Sequence, residues 1–335
     1  MAQRAGETSV REALAREADV ATGEAVKLRA QLAAERKRSA LLSTQLASVN
    51  AARAPKAIAP AVAKFGAEYV RVIIPDSHGS MIDRAAASAF LADLKGLAPK
   101  EIVMLGDHVD AGGFLAQHHV LGYVAQTDYS YAEDVADANE FLNAIGKAAP
   151  GAATHYIEGN HERRIETWAV TQSLRNTKDA EMLRRAFAPE YLLHLDQRGI
   201  RYYRQGEQYN GLRIQGTISL GKCFFWHGVS TARHAAGVNV RQFSGNVVYG
   251  HTHRAQSDMV SPVATGEIGA WNPGCLCERQ PLWCHTLPTD WTHGYAVQIV
   301  SKSTGNFLHI NVPIAAGKSL LMPLIKQAGR QPVRK

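Results

Sequence analysis

Residues 69–79 read YVRVIIPDSHG: a run of branched apolar side chains, then a proline, then Asp76 and His78. Such a run, closed by a turn residue, predicts a buried strand that stops where the polar residues begin. Working outward, Ile82, Ala86, Phe90, Leu94 and Leu97 recur at helical spacing, and residues 102–105 (IVML) form a second apolar run. Val135, Ala138, Phe141, Leu142 and Ile145 mark another helix, and residues 155–157 a third strand. Strand, helix, strand, helix, strand predicts a parallel sheet with crossover helices. From Ile200 onward turn signals multiply, and 202–203, 212–214, 217–220, Cys223–Trp226, Val247–Tyr249, 295–300 and 306–313 read as strands. That half is mainly β, and the whole is an α/β sandwich without internal repeats.

The rest of the 335-residue chain is organised around this core. A 46% hydrophobic and 20% charged composition fits a globular chain of one large or two modest domains. Residues 1–50 are rich in Ala, Leu, Glu, Arg and Lys and read as a helical arm. Its stripe of Leu28, Leu32, Leu42, Leu46 and Val49 is interrupted by Glu35 and Ser39. The arm is therefore open to homo-oligomer formation or to standing as a solvated helix. Residues 51–66, with Pro55 and Pro60 among alanines, read as a linker, 67–315 hold the sandwich, and 316–335 form a basic tail. The net charge of +7 sits at the ends: +4 in residues 1–60, +5 in 316–335 and −2 between. Basic ends on a near-neutral body are compatible with a polyanionic partner such as nucleic acid. No apolar run reaches the roughly 20 residues of a membrane span, the amino terminus lacks a signal-like apolar region, and four cysteines make no disulfide framework. These features predict a cytoplasmic protein with no membrane partner.

The polar residues gather where strands end. Asp76 and His78 (PDSHG) follow the first strand, and Gly106, Asp107 and Asp110 (GDHVD) the second. Asn160, His161 and Glu162 (GNHE) follow the third, His227 (WHG) follows Cys223–Trp226, and His251 and His253 (GHTH) follow Val247–Tyr249. Ligands of open α/β sheets bind outside the carboxyl ends of the strands. Alternate residues of an extended segment point the same way, so D-x-H and H-x-H spacings deliver two donors each. Five strand ends carrying Asp, His and Asn to one rim form the pattern of a metal site.

Taken in order, D-x-H, GD-x-x-D, GNHE, a lone H and GH-x-H resemble the calcineurin-like metallophosphoesterase superfamily, over residues 70–253 by motif. The resemblance implies a four-layer α/β/β/α sandwich. It also implies two divalent ions bridged by Asp107, one completed by Asp76, His78 and His253, the other by Asn160, His227 and His251. Mixed imidazole, carboxylate and amide donors suit Mn²⁺ (placed first), Fe or Zn²⁺ better than Mg²⁺ or Ca²⁺. The activity implied is hydrolysis of a phosphate ester by a metal-activated water. His161 is expected to protonate the leaving oxygen, with Asp110 hydrogen-bonded to it. A helix cap is the alternative for Asp110.

Within the superfamily, the protein phosphatase branch carries arginines that grip phosphate where this chain has Ala111 and Glu158. Their absence, together with a Trp271–Asn272–Pro273–Gly274 stretch resembling bacterial and phage members, predicts a phosphodiesterase or nuclease; a phosphomonoesterase is the alternative, and a non-catalytic scaffold the remote one. Arg163 and Arg164 could stand in for the missing pair or face solvent. Cys275, Cys277, Cys284 and His285 are spaced C-x-C-x6-C-H, unlike paired zinc knuckles, and read as reduced loop cysteines. His118, His119 and His234 lie near the expected rim without an assigned role.

Overall fold

The computed structural model describes residues 67–112, 129–173, 176–263, 266–281, 284 and 288–328, together with Lys27, Gln31, Ala33 and Lys37. The chain parts into two units, Met1–Pro55 and Lys56–Lys335. In the first unit the four described residues are helical and exposed; the leucine stripe and the linker lie outside the described residues.

The second unit begins with β1 (Glu68–Ile74), α1 (Arg84–Leu97), β2 (Glu101–Met104), α2 (Tyr131–Ala148), β3 (Ala153–Ile157), α3 (Asn160–Gln172), α4 (Thr177–Phe187) and β4 (Arg201–Tyr203). It continues with β5 (Ile218–Leu220), β6 (Cys223–Trp226), α5 (Ala235–Phe243), β7 (Val247–Tyr249), β8 (Ala255–Val260), β9 (Ile268–Pro273), β10 (Gly294–Ser301), β11 (Phe307–Pro313) and α6 (Leu321–Ala328). One sheet runs β11-β10-β1-β2-β3-β4 and the other β5-β6-β7-β9-β8. β1 through β4 are parallel, and so are β6, β7 and β9.

Period-2 alternation along the strands separates the layers. Val72 and Ile74 of β1, with Ile102, Met104 and Tyr156, pack under Phe90, Leu94, Phe141, Leu142 and Ile145 of α1 and α2. Ile73, Val103, Leu105 and Ile157 face the opposite way and meet Ile218, Phe225 and Val248 of the second sheet. Trp226, Val247 and Tyr249 then cover Ala235, Ala236 and Val240 of α5. The order is helix, sheet, sheet, helix: a four-layer α/β sandwich. Helix starts follow local capping, Asp83 accepting from Ala86 N at α1 and Ser130 from Glu133 N at α2.

Arg71 sits on the intersheet face only 1% exposed, held by Glu101 (2.5 Å), Gln298 (2.8 Å) and Tyr69 Oη (3.0 Å). Burial alone would raise Glu101, but hydrogen bonds and charge from His155 and Arg71 bring it down to about 2. A buried ion pair that is fully hydrogen-bonded is tolerated; one left half-broken is not.

Three expectations need revision. Residues 212–214 form no strand. β8 and β9 were not foreseen, because β8 is an edge strand half of whose residues are polar and the end of β9 carries an Asn-Pro pair that interrupts an apolar run. The stretch read as a plain tail contains α6, whose Leu321 packs against the α1–α2 core.

Candidate metal centre

Every residue of the candidate site stands beyond the carboxyl end of β1, β2, β3, β6 or β7, and the connecting loops are tied to one another through the main chain. Ser77 and His78 donate their amides to Asp107 O at 3.1 and 2.9 Å, and Gly79 N donates to His108 O at 2.9 Å. Gly250 N donates to His227 O at 2.9 Å. Two buried carboxylates collect the remaining amides of the second loop. Glu162 accepts from Asp107 N (2.9 Å), His108 N (2.7 Å), Gly159 N (2.9 Å) and Tyr156 Oη (2.6 Å). Asp134 accepts from Ser80 N (3.0 Å), Asp110 N (3.0 Å), Ala111 N (2.9 Å) and Tyr129 Oη (2.8 Å).

These ties hold backbone that would not stay put alone. His78, Asp107, Ala111, His251 and His253 have φ of 52°, 52°, 47°, 70° and 56°. Left-handed conformations at non-glycine residues cost on the order of 1–3 kcal/mol each and persist where surroundings over-determine them. Gly159 is a matter of space: a Cβ there would lie 2.1 Å from Asp107 Oδ1.

The side chains fall into two groups that share Asp107. In the first, His253 Nε2 lies 2.9 Å from Asp76 Oδ2 and 3.1 Å from His78 Nε2. Ligating atoms of Asp76, His78 and Asp107 lie within 4.8 Å of one another. In the second, Asn160 Oδ1 lies 2.8 Å from His227 Nε2 and 2.7 Å from His251 Nδ1, and Asp107 Oδ2 lies 3.2 Å from His227 Nε2. All seven ligand-type residues named from the sequence are thus brought together.

The donor set fits divalent ions. His227 Nδ1 donates to Leu105 O at 2.9 Å, so Nε2 is the nitrogen that faces an amide oxygen and a carboxylate oxygen. Oxygens converging on that nitrogen call for positive charge there, a proton on the ring or a cation in its place. Burial disfavours a charged His227, yet Asp107 and Asp76 push it up to about 10, the field of a site that wants positive charge at that nitrogen. Burial holds His251 down at about 4, helped by the neighbouring His227, and also lowers His78; both stay neutral as ligands must. Burial raises Asp107, but His227 and His161 outweigh it and hold the carboxyl well below its ordinary range. Metal-ligating histidines characteristically give their other N–H to a carbonyl or carboxylate, as His227 does to Leu105 and His78 Nδ1 does to Asp110 Oδ1 at 3.0 Å.

Several details differ from the sequence reading. Asp107 Oδ1 accepts from His161 N at 2.8 Å, capping α3, and Oδ2 is the oxygen that faces His227. His161 Nδ1 donates first to the main-chain O of Asp110 (2.6 Å), with the Asp110 carboxylate at 3.2 Å. That carboxylate also holds His78, so Asp110 serves two imidazoles. Asn272 donates to Gly250 O (2.7 Å) and Thr252 Oγ1 (3.0 Å), giving the Asn-Pro-Gly stretch the job of holding the turn that bears His251 and His253. Arg163 is exposed beside Gln205, whereas Arg164 donates to Asp110 O at 3.1 Å, next to His161. Glu158 turns away from the site toward Tyr202 Oη (3.0 Å) and Gln205 N (2.7 Å). Among the described residues, the metal-capable group containing Cys277 is with His78 and His253, not with the other cysteines. His118, His119 and His285 lie outside the described residues.

Asp134 was missed altogether. Its signal was an acid at position i of the stripe Ala138, Phe141 and Ile145, where a buried apolar residue belongs.

No family model matches the sequence, and no curated protein matches it. Among solved structures, the chain overlaps a single mutant of Vps29 from Entamoeba histolytica at 11% identity, covering 72% of this chain and 98% of that one, with a TM-score of 0.31. It overlaps Yfce, a phosphoesterase from E. coli, at 16% identity, 72% and 98% coverage and a TM-score of 0.32. A protein of Thermus thermophilus, TT1561, gives 9% identity, 72% and 98% coverage and a TM-score of 0.29. These overlaps are too slight to bear on fold or function, which rest on the strand order and side-chain positions above. Among the described residues, no helix is long and apolar enough to cross a membrane.

Proposed function

We propose that the chain is a two-metal phosphoesterase of the calcineurin-like metallophosphoesterase superfamily, acting as a phosphodiesterase or nuclease. The observation that carries this reading is the sorting of Asp76, His78 and His253 on one side of Asp107, and Asn160, His227 and His251 on the other. Two ions held there would lower the pKa of a water and neutralise charge developing on phosphoryl oxygens; Mn²⁺, Fe and Zn²⁺ all suit the donors.

The chain's own residues would do the rest. His161 gives Nδ1–H to Asp110 O, which leaves Nε2 directed toward the side of Asp107 Oδ2, 3.8 Å away. Burial opposes charge on this ring, but Asp107 and Asp110 raise its pKa above the ordinary histidine value. Donation to a leaving oxygen requires a proton on Nε2, and the raised pKa favours that form.

The preference for diesters follows from what faces phosphate. Ala111 and Glu158 offer no guanidinium, Arg163 is exposed beside Gln205, and Arg164 is tied to Asp110 O. A monoester dianion gains most from a bidentate guanidinium clamp, and a diester monoanion needs it least. Arg164 is the one observation favouring the monoesterase alternative. The test is turnover of an aryl phosphodiester against the matching monoester with Mn²⁺, Fe²⁺ or Zn²⁺ added. Faster diester cleavage supports the reading; monoester preference abolished by Arg164→Ala replaces it with the alternative. Silence on both with metal bound leaves a non-catalytic scaffold.

A further inference from the structure

Residues 274–278 run as a strap beside the candidate centre, and the main chain fixes it on both sides. Leu276 N donates to Asp76 O (2.8 Å), Asp83 N to Leu276 O (2.9 Å) and Glu278 N to Met81 O (2.8 Å). Gly294 N donates to Cys275 O (3.1 Å), and His293 Nε2 donates to Cys277 O (2.8 Å). A peptide pinned on each side leaves the Cys277 side chain little choice of direction. Its sulfur, on a residue 2% exposed, lies 4.0 Å from His253 Nδ1. The ring of Trp291 meets His253 edge-on at 4.1 Å between centroids and closes the other side. Ligating atoms of His78, His253 and Cys277 lie within 4.8 Å of one another.

His253 presents its two nitrogens to different neighbours. Nε2 faces Asp76 and His78, whereas Nδ1 faces the sulfur. A histidine that ligates through Nε2 must carry its proton on Nδ1, and that N–H needs an acceptor to fix the ring. His78 uses the Asp110 carboxylate for this and His227 the Leu105 carbonyl. A thiol sulfur is a weak acceptor, but it is large and it is correctly placed.

We propose that Cys277 is a positioning residue for His253: its sulfur accepts the Nδ1–H, aims Nε2 at the space between Asp76 and His78, and so sets metal affinity in the first group without touching the second. This rests on the two-metal reading above. The sulfur acts through the imidazole and does not bind the ion.

The test uses the full chain stripped of metal and titrated with Zn²⁺ against a chromophoric chelator. Wild type should take up two equivalents. Cys277→Ala and Cys277→Val should weaken one equivalent by ~10–100-fold, the usual cost of losing such a partner, and leave the other unchanged. Valine keeps the volume filled, so it separates loss of the acceptor from loss of packing. Cys277→Ser supplies an oxygen acceptor and should restore affinity to within a few-fold of wild type. Wild type loaded with Co²⁺ should lack sulfur-to-metal charge-transfer absorption. Such a band would make the sulfur a ligand and overturn the positioning role. Equal affinities in all four proteins would overturn this inference alone, and wild type that binds no metal tightly would overturn the two-metal reading with it.

Discussion

His227 gives its Nδ1–H to the main-chain carbonyl of Leu105, whereas the two histidines of the first group are held by side chains, His78 by Asp110 and His253 by Cys277. A main-chain anchor cannot be removed by substitution; a side-chain anchor can. His227 is therefore fixed by the fold itself, and the first group is adjustable one residue at a time. Two buried acids differ too. Burial would raise Asp110, but His161 and His78 bring it below the ordinary carboxylate range. Glu158, two residues before Asn160 in sequence and turned away from the site, is pushed up to about 7 by burial, against hydrogen bonds from Gln205 N and Tyr202.

The most drastic way to break this comparison is at the residue both groups share. Asp107→Asn should drop metal content below two equivalents and bring turnover to background while the protein stays folded, because Oδ1 can still cap α3 as an amide oxygen. Two bound equivalents with full turnover would remove Asp107 from the centre. Next in size, His161→Ala should keep both metals and lose about 10²–10⁴-fold in turnover, the usual worth of a general acid. The loss should shrink with good leaving groups; an equal loss for good and poor ones would leave the ring a positioning role only.

Asp110→Asn sharpens the difference between the groups. It should weaken the first equivalent by ~10–100-fold through His78 and spare the second. Equal weakening of both would erase the distinction between anchors. It also carries a pH signature through His161, whose pKa should fall toward the ordinary histidine value and move the alkaline limb of a turnover–pH profile to lower pH.

Smaller still are the stability effects of the two acids in chelator-treated protein. Asp110 is depressed, so its contribution is present above the unfolded value of 3.8 and is lost as pH falls through its folded value. Glu158 is raised, so stability is fully present below 4.5 and is lost as pH rises from 4.5 to about 7. Chemical denaturation at pH 5 and pH 8 should show wild type losing on the order of 2 kcal/mol that Glu158→Gln keeps. A parallel loss in both proteins would clear Glu158 of the effect. The least effect on chemistry should come from deleting residues 1–60 and 329–335, which removes a formal +7 and leaves both groups intact. Small-diester turnover should hold, while nucleic-acid binding weakens with a flatter salt slope; an unchanged slope would take the basic ends out of substrate binding.

The ligand-type residues were legible because each sits at a strand end, where a short apolar run is followed by a polar pair. Local pattern places them without knowledge of any distant contact. β1, β2, β6 and β7 were legible for the same reason, as their apolar runs are short and bounded. β8 was not, because its half-buried positions carry Gln256 and Asp258 while Met259 is exposed, so polarity does not follow the alternation of burial. Asp134 shows in the sequence only as an acid on the apolar stripe of α2, and only the fold brings it under the Asp110–Ala111 amides.

The sequence by itself determined the alternation of strands and helices and the set of polar side chains at the strand ends, since both follow from local periodicity, while the order of the four layers was only what the family resemblance implies. Only the tertiary structure decided which oxygen of Asp107 faces His227, which main-chain carbonyl holds His161, and which sulfur stands behind His253. Those choices are made by residues tens of positions apart, brought to hydrogen-bond distance by packing that leaves no local trace in the chain.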